Sequence, residues 1–318
     1  MDQHAIVPDG LATGFALILR PAHDRVGVVP LTLVTRRHDE VMTRYRQAQQ
    51  AFLQADPRQA DVHHRADQAR QLALDELGAW LHQNVIEPLL EHTAGWGLRR
   101  EPRLGLVSVA EWAALPFAAA WRADATLPGG KRYAVHDLVL THVPSGRAFL
   151  RAAAVDAVPI DEDVLVVVDP AQSGLAFSRA FGREVTSIFP RATVVARHAG
   201  TRQRILDALP SPTRPGASLV HLATHGRTSP EVAIQAADGW LPLSRILDQA
   251  RGIRPGRPGG VVIVNACVTD VMGSRSADDE APALDEALTV ATSMLAAGAK
   301  HVIGTRWPVP DGCAAVLG

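Results

Sequence analysis

The amino-acid sequence predicts an α/β fold around a mostly parallel central sheet. Two observations carry that prediction. Short apolar runs rich in β-branched residues recur at strand length, bounded by Gly and Pro, as the buried strands of a parallel sheet require. The two most informative are residues 218–226, Ser-Leu-Val-His-Leu-Ala-Thr-His-Gly, and residues 261–267, Val-Val-Ile-Val-Asn-Ala-Cys. Helix-length segments separate these runs, and alternation of this kind implies right-handed β-α-β crossovers.

The elements follow in order. Phe15 to Arg20 and Val26 to Val34 read as a hairpin around Pro21-Ala22-His23-Asp24-Arg25. A helical region then runs from about His38 to Thr93, split at Asp56-Pro57 because proline lacks the N–H that a helix interior needs. Within it Leu72, Leu77, Leu81, Val85, Leu89 and Leu90 recur at helical spacing and predict a core-facing stripe. Leu104 to Val109 reads as a strand, Leu115-Pro116-Phe117 opens a short helix, and Tyr133 to Val143 supplies a further strand before the Pro144-Ser145-Gly146 turn.

An acidic, proline-containing linker, Val158 to Asp163, divides the chain into halves, 1–157 and 158–318. The second half begins with a strand at Val164 to Val168, a helix from about Leu175 to Phe189, a strand at Thr193 to Ala196 and a helix over Arg202 to Leu209. The strand ending in His225 follows, then a hairpin-like stretch about Asp238-Gly239 and a helix near Leu243 to Ala250. The strand ending in Cys267, a helix from about Asp285 to Ala297 and a strand at His301 to Gly304 complete it. No short-period repeat is visible.

Composition narrows the function. A chain of 318 residues with 47% hydrophobic content buries a substantial core. Its 32 basic and 33 acidic residues leave a formal charge of -1, so no overall field draws it to nucleic acid or an anionic membrane. Two cysteines, Cys267 and Cys313, make no disulfide framework and no zinc-ligand spacing, which fits a reducing compartment. The N-terminus lacks the basic and apolar regions of a secretory signal, and the longest apolar stretches are strand-sized. A cytoplasmic protein is expected. The His63-His64 doublet lies in a polar helical stretch and reads as solvated surface.

The chemistry concentrates at two strand ends. Ligands in open α/β sheets bind beyond the carboxyl ends of the strands, so His225 and Cys267 are aimed at one crevice. Cysteine attacks as its thiolate, which is scarce at neutral pH unless a neighbour such as a histidine assists. Gly226, directly after His225, lets the backbone approach a substrate closely, and its N–H with that of Cys267 would serve as oxyanion donors. The combination describes acyl transfer by a Cys-His dyad. A buried structural cysteine closing a core strand is the alternative.

Other candidates are weaker. His221, four residues before His225, reads as a hydrogen-bonded core histidine on the same face of the strand. Asp169, after the first strand of the second half, either binds substrate or starts a turn. Glu184 reads as surface, and Asp278-Asp279-Glu280 as a solvated loop. Pro255 to Gly260 precedes its strand, so it is a turn and not a phosphate cradle. Residues 169–174 likewise lack the Gly-rich turn of a nucleotide-binding unit. No metal and no organic cofactor are expected.

At these residues the sequence resembles the CHAT family, caspase-like peptidases often attached to tetratricopeptide repeats and grouped with caspases, metacaspases and separase. Four segments carry the resemblance: residues 221–226, His-Leu-Ala-Thr-His-Gly; 264–267, Val-Asn-Ala-Cys; 295–299, Leu-Ala-Ala-Gly-Ala; and 302–309, Val-Ile-Gly-Thr-Arg-Trp-Pro-Val. Weaker landmarks are Leu115-Pro116-Phe117 and Asp238-Gly239-Trp240-Leu241, so the resemblance extends from about Gly14 onward.

The resemblance implies a caspase-like three-layer fold in 158–318, preceded in 1–157 by a degenerate, non-catalytic caspase-like half. It implies Cys267 as nucleophile, His225 as its partner, Gly226 in the oxyanion site and Asp311 in the pocket for the residue before the cleaved bond. The activity so implied is a cysteine endopeptidase acting on a protein substrate and activated by a partner or sensor module. No helical repeats precede the catalytic region, so that module is expected to be missing, supplied by another chain, or encoded in sequence beyond this one. Family members also continue past Trp-Pro-Val, and the core is expected to be incomplete at its C-terminal edge. The alternative is a catalytically silent caspase-like scaffold that binds a partner.

Overall fold

The computed structural model describes residues 11–20, 25–56, 58–94, 103–106, 115–142, 158–227, 231–253, 259–265 and 289–305. The chain divides into two compact units, Met1–Leu104 with Pro116–Thr141, and Gly105–Leu115 with His142–Gly318. The boundary expected at residue 157 lies outside the described residues.

The first unit opens with the expected hairpin. Strands β1 (Leu11–Arg20) and β2 (Arg25–Val34) pair antiparallel, from Leu11 opposite Val34 to Arg20 opposite Arg25. Helices α1 (Thr35–Gln54) and α2 (Ala60–Leu81) pack on each other, separated where Asp56-Pro57 was expected to break the helix. The His63 ring packs on Phe52 at 4.9 Å, so only His64 of the doublet is exposed as expected.

The predicted stripe holds at Leu77, Leu81, Val85 and Leu89, which are buried, and fails at Leu72, which is 71% exposed. A π-helical turn, His82–Ile86, joins α2 to α3 (Glu87–Ala94). Its wider turn rotates the buried face, which brings Ile86 into the core beside Val85. Strand β3 (Arg103–Leu106) pairs with β6 (Val139–His142), and β4 (Trp121–Ala123) pairs with β5 (Lys131–Tyr133). The expected strand over Tyr133 to Val143 is therefore two strands, because Ala134–His136 forms a 3-10 turn between them.

The second unit is built on an all-parallel sheet, five strands among the described residues. In spatial order these are β14 (His301–Gly304), β13 (Val261–Asn265), β9 (Leu219–Ala223), β7 (Val164–Val168) and β8 (Thr193–Ala196). Every pairing is parallel. Alternation along the strands sorts the side chains to two faces. Leu165, Val167, Val220, Leu222, Val262 and Val264 point to one face. There they pack with Ile205 and Leu206 of α5 (Arg202–Ala208), Leu243 and Ile246 of α6 (Leu243–Ala250), and Val290 and Met294 of α7 (Val290–Ala296). Val164, Val166, Val168 and Leu219 point to the other, against Val185 and Phe181 of α4 (Ala176–Ile188). Helices on both faces of a parallel sheet make the three-layer α/β architecture of the caspase-like fold.

Close backbone approach explains two glycines. A Cβ at Gly260 would overlap the Ala217 and Ser218 carbonyl oxygens, so the residues before β13 must be small to run alongside the start of β9. A Cβ at Gly182 would come within 2.8 Å of a Val168 methyl, so glycine sets how closely α4 lies on β7. Thr289 caps α7, its hydroxyl accepting from the Thr292 N–H. The helix thus starts at Val290, later than the expected Asp285, and 285–288 lie outside the described residues. No described helix is long and apolar enough to cross a membrane.

Candidate active site

The strand order places β7 next to β9, although the chain leaves β7 outward to β8 before returning. Such a reversal opens a crevice beyond the carboxyl ends of the two strands. Strand β9 is pinned at its start, where the Ser218 hydroxyl donates to the Asp163 carbonyl at 2.7 Å. At its far end the ladder continues past the last strand residue. The Asp169 N–H donates to the Ala223 carbonyl at 2.9 Å, and the Thr224 N–H donates to the Asn265 carbonyl at 3.3 Å. Three strand ends are thus held level at one rim.

His225 stands on that rim, half-buried. Here the backbone changes partner: the His225 carbonyl accepts from the Gln235 N–H at 2.8 Å, and the chain enters a three-stranded antiparallel ribbon. Its strands are β10 (Gly226–Arg227), β11 (Ala233–Ala236) and β12 (Gly239–Pro242), with Gly226 opposite Ile234. A bond from the residue after Ile234 to the residue before Gly226 marks these two as a non-hydrogen-bonded pair. The Gly226 N–H therefore points off the ribbon, away from β11, as an oxyanion donor would need. Beneath the ribbon the Thr224 hydroxyl donates to the Gln235 carbonyl at 2.7 Å. The β11–β12 turn is tied to α5, because Asp238 accepts from the Arg202 N–H at 2.8 Å.

His221 is buried in β9 with its ring 4.9 Å from Phe181. Burial lowers its imidazole to about 4 from an ordinary 6.5. Its position in the core is as expected, and its Nε2 has no hydrogen-bond partner. Because β9 ends at Ala223 and the backbone turns into the ribbon at His225, strand alternation does not run unbroken from His221 to His225.

Asp169 has φ of +42°, and its side chain is wholly buried. One carboxylate oxygen accepts from the Ser173 N–H at 2.7 Å and the Ser173 hydroxyl at 2.8 Å. The other accepts from the Gly174 N–H at 3.3 Å and lies 3.6 Å from Arg179 Nε. Burial alone would raise this carboxyl; the Ser173 and Gly174 donors and the Arg179 charge outweigh it, and its pKa lies below the ordinary value. Of the two roles expected for Asp169, the geometry favours the turn: the carboxylate braces its own loop.

Cys267, with the oxyanion role of its N–H, and Asp311 lie outside the described residues. The register fixes how Cys267 relates to His225 in count. Ala223 is opposite Asn265 in the parallel ladder, His225 follows Ala223 by two residues, and Cys267 follows Asn265 by two. Among the described residues, no three His, Cys, Asp or Glu side chains group as metal ligands.

Sequence reasoning missed the surroundings of His225. Arg227 lies with its guanidinium carbon 4.6 Å from the centre of the Trp240 ring. Gln235 is opposite Trp240 in the ribbon. Nothing in the local pattern marks Arg227, whereas Trp240 sits in the Asp238-Gly239-Trp240-Leu241 segment already noted as a landmark.

No curated protein matches the chain significantly. The family model of the CHAT domain matches residues 75–317, starting inside α2 and later than the resemblance from Gly14 suggested. The match takes in the parallel sheet, the rim bearing His225 and the segment containing Cys267, and on it the chain belongs to the CHAT family, which is related to the caspase-like cysteine peptidases.

Proposed function

We propose that the chain is a cysteine endopeptidase in which His225 and Cys267 form a catalytic dyad. The observation that supports this most is the parallel register, because it gives the two residues the same offset beyond paired positions on adjacent strands. Adjacent strands run about 4.8 Å apart, a spacing a side-chain pair can bridge. His225 takes the thiol proton, and the Cys267 thiolate attacks the carbonyl carbon of the scissile bond. The Gly226 N–H and the Cys267 N–H hold the oxyanion of the tetrahedral intermediate. Collapse breaks the C–N bond, His225 gives its proton to the departing amine, and a thioester remains. Water then attacks, His225 taking its proton, and the acid leaves as the thiol re-forms. Metal and organic cofactors have no part in these steps.

The substrate is a protein, and activity depends on a regulatory module or tetratricopeptide-type partner that orders the loops after the strands. The setting is the reducing cytoplasm, where the thiol stays free. A thiol-directed peptide probe tests the dyad: Cys267 is labelled in the parent, and labelling falls by at least a hundredfold in His225→Ala. A Cys267→Ala variant that cleaves a protein substrate as fast as the parent would overturn the dyad, and a parent that neither takes the probe at Cys267 nor cleaves any protein would leave the silent scaffold in its place.

A further inference from the structure

We propose that the face of the β10–β12 ribbon beside His225 is a subsite for a carboxylate side chain of the substrate, recognised by Arg227. The inference deepens the peptidase reading and rests on it for its place next to the scissile bond; the charge recognition itself does not depend on turnover.

The ribbon has two faces. Gly226, Ile234 and Leu241 are in register across it, and Ile234 and Leu241 enter the core. Neighbours along each strand alternate, so Arg227, Gln235 and Trp240 share the opposite face. On that face the Arg227 guanidinium stacks on Trp240 at 4.6 Å, and among the described residues no carboxylate pairs with it. Its Nε is closed off from solvent without an acceptor, and Gln235 Oε1 is closed off without a donor.

A half-buried cation lacking a counter-charge is costly, and stacking on an aromatic ring offsets only part of that cost. Stacking also holds the guanidinium as a planar fork, preorganised for the two oxygens of a carboxylate. An Asp or Glu side chain docking there on the exposed edge of the guanidinium supplies the missing charge. A neutral or basic side chain would cover Arg227 and leave it unpaired. Arg227 is two residues beyond His225, so the acidic residue lies within a residue or two of the bond cleaved. The pocket that the resemblance assigns to Asp311 would favour the opposite charge.

The test is binding to the full chain carrying Cys267→Ala, with fluorescent peptide pools randomised around one fixed position occupied by Asp or Glu, by Asn or Gln, or by Lys. The expected result is at least tenfold tighter binding of the acidic pools than of their amide counterparts. That preference disappears in Arg227→Ala and turns toward Lys in Arg227→Glu. It persists in Arg251→Ala, a control whose side chain is 84% exposed. Equal binding of acidic and amide pools by the Arg227 chain overturns the inference without any variant, as does a preference that survives Arg227→Ala or a Lys preference from the start. An unreactive Cys267 with a preference that tracks Arg227 sinks the peptidase reading alone; a reactive Cys267 without the preference sinks the subsite alone.

Discussion

Ala223 and Asn265 face each other across the parallel ladder between β9 and β13, and each precedes one member of the proposed dyad by two residues. The dyad therefore depends on a register that forms between segments far apart in the chain. Loosening the ladder at this level would separate the proposed dyad before it unfolds the sheet.

Thr224 supplies the first expectation. Its buried hydroxyl donates to the Gln235 carbonyl and joins the sheet to the ribbon. Thr224→Val keeps the shape and leaves that carbonyl without its donor, at a cost of about 1–3 kcal/mol. Probe labelling of Cys267 slows beyond what the loss of folded protein accounts for, read by comparing labelling rates with urea midpoints.

His221 makes stability depend on pH. Its folded value of about 4 lies below the ordinary 6.5, so the unfolded chain takes up the proton first as pH falls. Stability is intact above 6.5, declines between 6.5 and 4, and levels off below, with a total loss of about 3 kcal/mol at about 1.4 kcal/mol per pH unit. In His221→Leu this component vanishes, and at pH 7 the variant is as stable as the parent or more so, since the unpartnered Nε2 is gone. Denaturant midpoints at neutral and acidic pH settle the matter; an unchanged acid response in the variant contradicts it.

Asp169 distinguishes a brace from a binding group. Asp169→Ala leaves the Ser173 and Gly174 donors without their acceptor and places alanine at φ of +42°, for a loss of about 2–4 kcal/mol. Asp169→Asn tolerates that backbone and keeps one good acceptor, so it loses about half as much. Because the parent carboxyl sits below its ordinary value, its contribution is present above the ordinary carboxylate range and is lost as pH falls through the lowered value. For the Asn variant KM stays at the parent value; a selective rise in KM would show direct contact with substrate.

Gly182 reports on the fit of α4 to β7. Gly182→Ala puts a methyl 2.8 Å from Val168 and costs about 1–3 kcal/mol through overpacking. Val168→Ala opens the room that methyl needs. The double variant is therefore less destabilised than the two single losses added together, by at least about 0.5 kcal/mol in urea midpoints.

Much of this molecule was legible in its sequence. The runs Val164–Val168, Thr193–Ala196 and His301–Gly304 are strands at the expected bounds, and Leu243–Ala250 is a helix at its expected bounds. Hydrophobic periodicity and helix breakers are local, so they survive reading one segment at a time. Failures fell where a distant segment intervenes. Leu72 fits the helical stripe but finds no core to enter, and the π turn at His82–Ile86 shifts the face that follows it. Asp169 read equally well as binder or brace until Ser173 and Gly174 were seen around its carboxylate.

The sequence by itself determined that a histidine and a cysteine each follow a buried β-branched run, and which family those runs resemble. Only the tertiary structure decided that β9 and β13 are neighbours, that Ala223 meets Asn265, and that Arg227 stacks on Trp240 beside His225. The physical reason is range. Alternation and propensity act over a few residues, whereas register and stacking are set by burying two faces of a whole sheet at once, and no single run records its partner.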